Sequence, residues 1–130
     1  MRCGGVLNLA ERNLTGEIMF LYGWGPEEEG RFTTLLHLAM TATALDLKVY
    51  VFLFTEGVVL AKKDAVQALS DEMGRRFKEL LKNKNVEVYV CEEAAKKRSI
   101  TEDSLEEGIS IRGYATFLHK AINARSVITV

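Results

Sequence analysis

Three continuous apolar runs of strand length punctuate the chain: Glu17-Ile18-Met19-Phe20-Leu21-Tyr22-Gly23-Trp24, Lys48-Val49-Tyr50-Val51-Phe52-Leu53-Phe54 and Val86-Glu87-Val88-Tyr89-Val90-Cys91. A run with so little polar alternation has no face to give to water, so each reads as a strand buried on both sides. Such strands belong to parallel sheets, whose crossovers need a dozen or more residues and are usually helices. The intervals supply them. Pro26 suits a first helical turn, and Glu27, Glu28 and Glu29 complement the positive end of a helix dipole. Phe32, Leu35, Leu36, Ala39, Met40 and Thr43 then recur at helical spacing, which predicts a helix to about Leu45. Val66, Leu69, Met73, Phe77, Leu80 and Leu81 mark a second amphipathic helix, closed by Lys82-Asn83-Lys84-Asn85.

Between the second strand and that helix lies Thr55 to Lys63, a glycine turn carrying the apolar tip Val58-Val59-Leu60. Such a tip either folds onto its own domain or packs on a neighbouring subunit. After Cys91, residues Glu92 to Arg98 have helical propensity and Thr101 to Ser104 can cap or turn. Ile109-Ser110-Ile111 is a short strand closed by Gly113; Tyr114, Phe117, Leu118, Ala121 and Ile122 give a last helix, and Ser126 to Val130 a closing strand. The resulting order of alternating strands and helices predicts an α/β fold, a three-layer α/β/α sandwich on a five-stranded, mainly parallel sheet. Residues 1–16 show neither period and read as an N-terminal arm, leaving 17–130 as a single domain. With 130 residues, 48% of them hydrophobic, the chain can fill one core.

Charge excludes several partners. The 17 basic and 18 acidic residues leave a net charge of -1, so no global field draws the protein to nucleic acid or to an anionic membrane. No apolar run approaches the roughly 20 residues that span a bilayer. Met1-Arg2-Cys3-Gly4-Gly5 opens no signal-peptide hydrophobic region, so a cytoplasmic location is expected. Cys3 and Cys91 are too far apart for a CxxC motif, and in a reducing compartment a structural disulfide between them is not expected. His37 and His119 have no His or Cys at ligand spacing, which argues for ordinary helix histidines and against a metal. The segment GWGPEEEG lacks GxGxxG spacing and offers carboxylates where a phosphate needs donors, so a nucleotide cofactor is disfavoured.

Parallel sheets bind ligands beyond the carboxyl ends of their strands. Cys91 lies at one such end, Glu56 and Gly57 just beyond a second, and Gly23 to Gly25 beyond a third, so these loops are expected to share one rim. Cys91 also opens the 92–98 helix. A thiol there faces the positive end of the helix dipole, which favours the thiolate. Lys96, Lys97 or Arg98 would add to that if the helical turn brings one round, while Glu92 and Glu93 oppose it. The other reading is a strand-end cysteine acting as a small hydrophobe, and the residue pattern leaves both open. The candidates are therefore Cys91 as the reactive group and Gly25, Glu56, Gly57 and Arg98 as rim-binding residues. Cys3, in a glycine-flanked terminus, is read as incidental or as a resolving thiol in an oxidised state.

The segment VEVYVCEEAAKKRSIT, followed by LEEGISIRGYATFLHKAINARSVITV with its G-I-x-x-x-G strand, resembles the DsrE/DsrF-like family of sulfur-relay proteins, which has TusD-like and YchN-like members. GWGPEEEGRFTTLLHLAMTATALDLKVYVFLFTEGV, with V-x-x-F-x-x-x-x-G, is similar to that family's first helix and second strand and loop. The resemblance covers nearly all of the chain from Glu17. It implies that Cys91 carries sulfane sulfur as a persulfide between donor and acceptor proteins, a sulfurtransferase role with no cofactor. It also implies a homotrimer or hexamer, which the apolar tip would suit. A non-enzymatic oligomeric binding or regulatory module of the same fold is the alternative.

Overall fold

The computed structural model describes residues 16–130; the arm and Cys3 lie outside that range. The elements are β1 (Glu17–Tyr22), α1 (Glu29–Ala44), β2 (Lys48–Leu53), α2 (Lys63–Ala68), α3 (Asp71–Lys82), β3 (Val86–Cys91), α4 (Glu92–Lys97), β4 (Ile109–Arg112), α5 (Tyr114–Asn123) and β5 (Ser126–Thr129). Short 3-10 turns occupy Thr55–Ala61 and Glu102–Ser104. All five strands pair in parallel in one sheet, ordered β4-β3-β2-β1-β5. The α/β architecture expected from the alternating runs is the one observed.

Strand order explains an asymmetry between the two faces. Each step from β1 to β2, β3 and β4 moves the same way across the sheet, whereas β4 to β5 returns to the far side of β1. Right-handed crossovers then place the return helix, α5, on the face opposite the first helices. The side chains agree. Phe32 of α1 meets Phe77 of α3 edge-on, with ring centroids 5.1 Å apart and planes at 89°, and Tyr22 of β1 tilts onto Phe32 at 6.0 Å. On the other face Phe117 of α5 meets Phe52 of β2 at 5.1 Å. Each such ring pair adds about 1 kcal/mol beyond its area burial. The two faces share a buried middle of Met19, Phe20, Val49, Val51, Leu53, Val88 and Val90.

Near α5 the sheet surface is polar and aromatic. Tyr50 and Tyr89 stack at 6.5 Å, Tyr50 donates to Glu17 at 3.2 Å, and Tyr89 donates to Glu87. Lys48 closes the group with an ion pair to Glu87 at 2.8 Å. Lys120 of α5 lies over the Tyr50 ring at 4.7 Å. Burial, reinforced by the Glu17 carboxylate, pushes the Tyr50 phenol up to about 12. Burial pushes Tyr89 up as well, and its hydrogen bond to Glu87 adds to that.

Two local expectations are altered, and one open alternative is narrowed. The single helix expected over Val66 to Leu81 is two, because Leu69 and Ser70 turn extended. Ser70 caps the second by accepting from the Met73 N–H at 3.3 Å. The segment Ser70-Asp71-Glu72, a cap followed by acids, carries that start signal. The first helix begins at Glu29 rather than at Pro26. The tip Val58-Val59-Leu60 folds back onto its own domain: Val58 and Leu60 are fully buried in the 3-10 turn against β2, β3 and α4. Of the tip only Val59 keeps a partly exposed side chain.

Candidate functional site

The register shows why a cleft opens at Cys91. Pairing of β2 with β3 ends at Leu53 with Val90, while β3 continues one residue further and pairs Cys91 with Arg112 of β4. At that level β2 has already left the sheet through Phe54 and Thr55. The departure leaves a cleft of about 380 Å³ lined by Leu21, Phe52 and Phe54 from the β1 and β2 side, Thr55, Cys91, Glu93, Ala94, Lys97 and Arg98, and Tyr114 and Phe117 of α5. Its walls are mainly apolar and aromatic. Cys91 is only 3% exposed, and that small surface faces the cleft.

Cys91 is both the last residue of β3 and the N-cap position of α4, and its side chain makes no capping hydrogen bond. The helix has six residues, so little of a full macrodipole builds up behind the thiol. Glu92 and Glu93 occupy its first turn. Of the three cations in the Lys96-Lys97-Arg98 run, Lys97 and Arg98 reach the cleft. Arg98 is engaged elsewhere: it forms an ion pair with Glu56 and donates to the Ala94 carbonyl at 3.2 Å. The pair ties α4 to the 3-10 turn after β2.

The remaining rim candidates sit apart from the lining. Gly57 is buried where its α-carbon packs on the end of β1; a Cβ there would stand 2.4 Å from the Tyr22 carbonyl oxygen. Gly25 is buried beneath the Glu27 carboxylate, where a Cβ would lie 2.6 Å from an oxygen. Neither lines the cleft, and Glu56 reaches it only through Arg98. Of the loops expected to share one rim, those carrying Cys91 and Arg98 line the cleft, Gly57 is a close-packing position behind it, and Gly25 lies apart, facing the Glu27 side chain.

Two hydroxyl-bearing lining residues were not singled out as site candidates in the sequence. Thr55 has φ of 48°, a left-handed conformation unusual for a β-branched residue, and its hydroxyl donates to the Gly23 carbonyl at 2.8 Å. Tyr114 follows Arg112 and Gly113, so the pairing of Arg112 with Cys91 carries it to the cleft mouth. Its phenol is held above its ordinary value, first by a hydrogen-bonding interaction with Cys91 and then by the charge of that sulfur. The signal for Tyr114 was its place just past a strand end, which becomes informative only once β3 and β4 are known to be neighbours.

Among the described residues, no group of three or more His, Cys, Asp or Glu is placed to hold a metal ion. Within the same range, no helix is long and apolar enough to cross a membrane.

Known proteins agree with this architecture. The YchN protein of E. coli superposes with a TM-score of 0.77 at 19% identity, covering 88% of this chain and 99% of that one. The protein of unknown function MTH1491 from Methanobacterium thermoautotrophicum does so with a TM-score of 0.72 at 18% identity, with the same coverage. At these identities the likeness is one of fold. The uncharacterized protein MJ0760 of Methanocaldococcus jannaschii is 34% identical over 100 residues, 75% of this chain, which spans only 36% of that relative's length. The DsrE/DsrF-like family model matches residues 16–130, almost the whole chain, and the protein belongs to that family.

Proposed function

We propose that the protein is a sulfur carrier of the DsrE/DsrF type, passing sulfane sulfur through a persulfide on Cys91. The observation that carries this reading is the thiol's position: the cysteine at the end of β3 faces a half-open, largely apolar cleft. In such a site the Cys91 thiolate attacks the outer sulfur of a donor persulfide R–S–SH. A sulfur–sulfur bond forms to Cys91, the inner bond of the donor breaks, and R–S⁻ leaves. An acceptor thiolate then attacks the outer sulfur of Cys91–S–SH and releases the Cys91 thiolate. No external electrons enter; the steps are thiol–disulfide exchange in another guise. The apolar walls and the near-complete burial of Cys91 limit the approach of competing nucleophiles to the persulfide.

Incubation with a persulfide donor followed by intact-mass measurement is expected to add one sulfur, reversibly, to the wild type and none to Cys91→Ser. Absence of the adduct on the wild type sinks the reading. The alternative, a non-enzymatic binding or regulatory module, draws on the near-complete burial of Cys91; it expects slow labelling of the native thiol and full tolerance of Cys91→Ala.

Self-association belongs to the same proposal, as a homotrimer or hexamer. Its support is no longer the Val58–Leu60 tip but α5, where Tyr114, Leu118 and Ile122 form a stripe that is 60%, 55% and 78% exposed. This stripe lies on the sparsely covered face of the sheet, and Val127 on β5, also exposed, belongs to the edge strand that follows it.

A further inference from the structure

Two hydroxyl-bearing residues line the cleft, Thr55 and Tyr114, and the Thr55 hydroxyl is committed to the Gly23 carbonyl at 2.8 Å. Cys91 rises from β3, and Arg112 pairs with it in β4. Only Gly113 separates that pair from Tyr114, the first residue of α5, and Tyr114 and Cys91 line the same cleft. The ionisable groups around the thiol are Glu93, Lys97 and Arg98 from α4 and Tyr114 from α5, with Arg112 beside it in the sheet. Arg98 is held by Glu56, and the Arg112 guanidinium lies over the Tyr89 ring at 5.6 Å while donating to the Ile111 carbonyl at 2.8 Å. Both arginines are thus engaged away from the sulfur, and Lys97 is the remaining cation on the cleft wall.

We propose that Tyr114 is a positioning residue whose phenol hydrogen-bonds the Cys91 sulfur and stabilises it as the leaving thiolate when the persulfide is discharged. The assignment rests on the persulfide reading of Cys91. When an acceptor R–S⁻ attacks the outer sulfur of Cys91–S–SH, the new bond is R–S–SH and the electron pair of the broken bond stays on Cys91 Sγ. That atom gains a full negative charge while itself almost completely buried beside a mainly apolar cleft. A hydrogen bond to a charged acceptor is about twice as strong as a neutral one, so the Tyr114 proton contributes most at the moment the charge appears. The upward push on the Tyr114 phenol fits the same contact, since a neighbouring anion holds the phenol proton in place.

The test uses the full chain in a Cys3→Ser background, so that Cys91 is its single thiol. Tyr114→Phe keeps the ring and removes the hydroxyl, which should leave the thermal melt within about 1–2 °C because an exposed hydroxyl carries little stability. Two readouts decide the assignment. Discharge of sulfur from the glutathione-persulfide-loaded protein to dithiothreitol is expected to slow about three- to tenfold in the variant. The pH profile of iodoacetamide alkylation at Cys91 is expected to move to higher pH, which a purely structural role would not produce. Unchanged discharge and an unchanged profile in a variant that loads sulfur normally overturn the role of Tyr114. A wild type that never loads sulfur overturns the persulfide reading, while the alkylation profile still decides whether Tyr114 acts on the thiol.

Discussion

Gly57 offers a quantitative test of whether the residues behind the cleft are structural. An alanine Cβ at this position would meet the Tyr22 carbonyl oxygen at 2.4 Å, its carbon at 3.2 Å and the Gly23 α-carbon at 3.4 Å. All three are backbone atoms, so no side-chain rotamer relieves the clash. The Tyr22 oxygen also accepts the Phe54 N–H at 3.0 Å, and that bond helps hold the turn that opens the cleft. Overpacking a tight site costs about 1–3 kcal/mol, and weakening one buried backbone hydrogen bond adds about 1 kcal/mol. Gly57→Ala is therefore expected to lose about 2–4 kcal/mol, a fall in Tm of about 6–16 °C for a domain of this size. Gly30→Ala is the internal control. Nothing lies within 4 Å of a Cβ there and the residue is helical, so this variant is expected to melt at or slightly above the wild type, with a gain of up to about 1 kcal/mol. Both melts can be followed by circular dichroism at matched concentration. A Gly57→Ala protein that melts within about 2 °C of the wild type would refute the close-packing account and return Gly57 to the candidates for direct ligand contact.

The polar group beneath α5 predicts a pH dependence. Burial pushes the Glu87 carboxyl up, but hydrogen bonds from Lys48 and Tyr89 outweigh it and leave the carboxyl below its ordinary value. A carboxyl depressed in the folded state stabilises the fold above its unfolded value and loses that contribution as pH falls through the folded one. The side chain is 38% exposed, so after discounting for solvent screening the contribution is about 0.5–1 kcal/mol. Urea melts of wild type and Glu87→Gln should accordingly differ at pH 7 and converge toward pH 3; a gap that widens on acidification contradicts the assignment. Ser70→Ala removes the cap of α3 and is expected to cost about 1 kcal/mol in the same assay, with an unchanged melt arguing that the break after Leu69 is fixed by packing alone.

The three central strands were legible because burial on both faces leaves nothing for polar residues to do, and the helix stripes of Phe32 to Ala39 and Phe77 to Leu80 follow directly from one-sided packing. What escaped reading depends on neighbours distant in sequence. Val58-Val59-Leu60 has no period of its own, and only packing on β2, β3 and α4 decides that Val58 and Leu60 are interior. The strand order could not be read from the alternation, which is equally consistent with several parallel arrangements. That order is what leaves α5 with an exposed stripe. The site divides in the same way. Cys91 was legible from its place at a strand end, while Tyr114 and Thr55 join it only through the β3–β4 pairing and the early departure of β2.

Tyr114 occupies two features at once. It lines the cleft, and it is the first member of the stripe that continues through Leu118 and Ile122. A second copy of the chain seated on that stripe would therefore border the cleft mouth and limit access to Cys91, so assembly and thiol accessibility are expected to be coupled. Ile122 is the residue for testing this, because it is the most exposed member of the stripe and does not line the cleft. Ile122→Glu places a charge in the proposed contact and leaves the cleft walls untouched. Sedimentation should show a smaller species than the wild type, and Cys91 should be alkylated faster in it at equal protein concentration. A smaller species with an unchanged alkylation rate would show that subunits meet away from the thiol. A wild type that sediments as a monomer at all concentrations would remove the assembly itself and leave the cleft to be closed by the sulfur donor or acceptor alone.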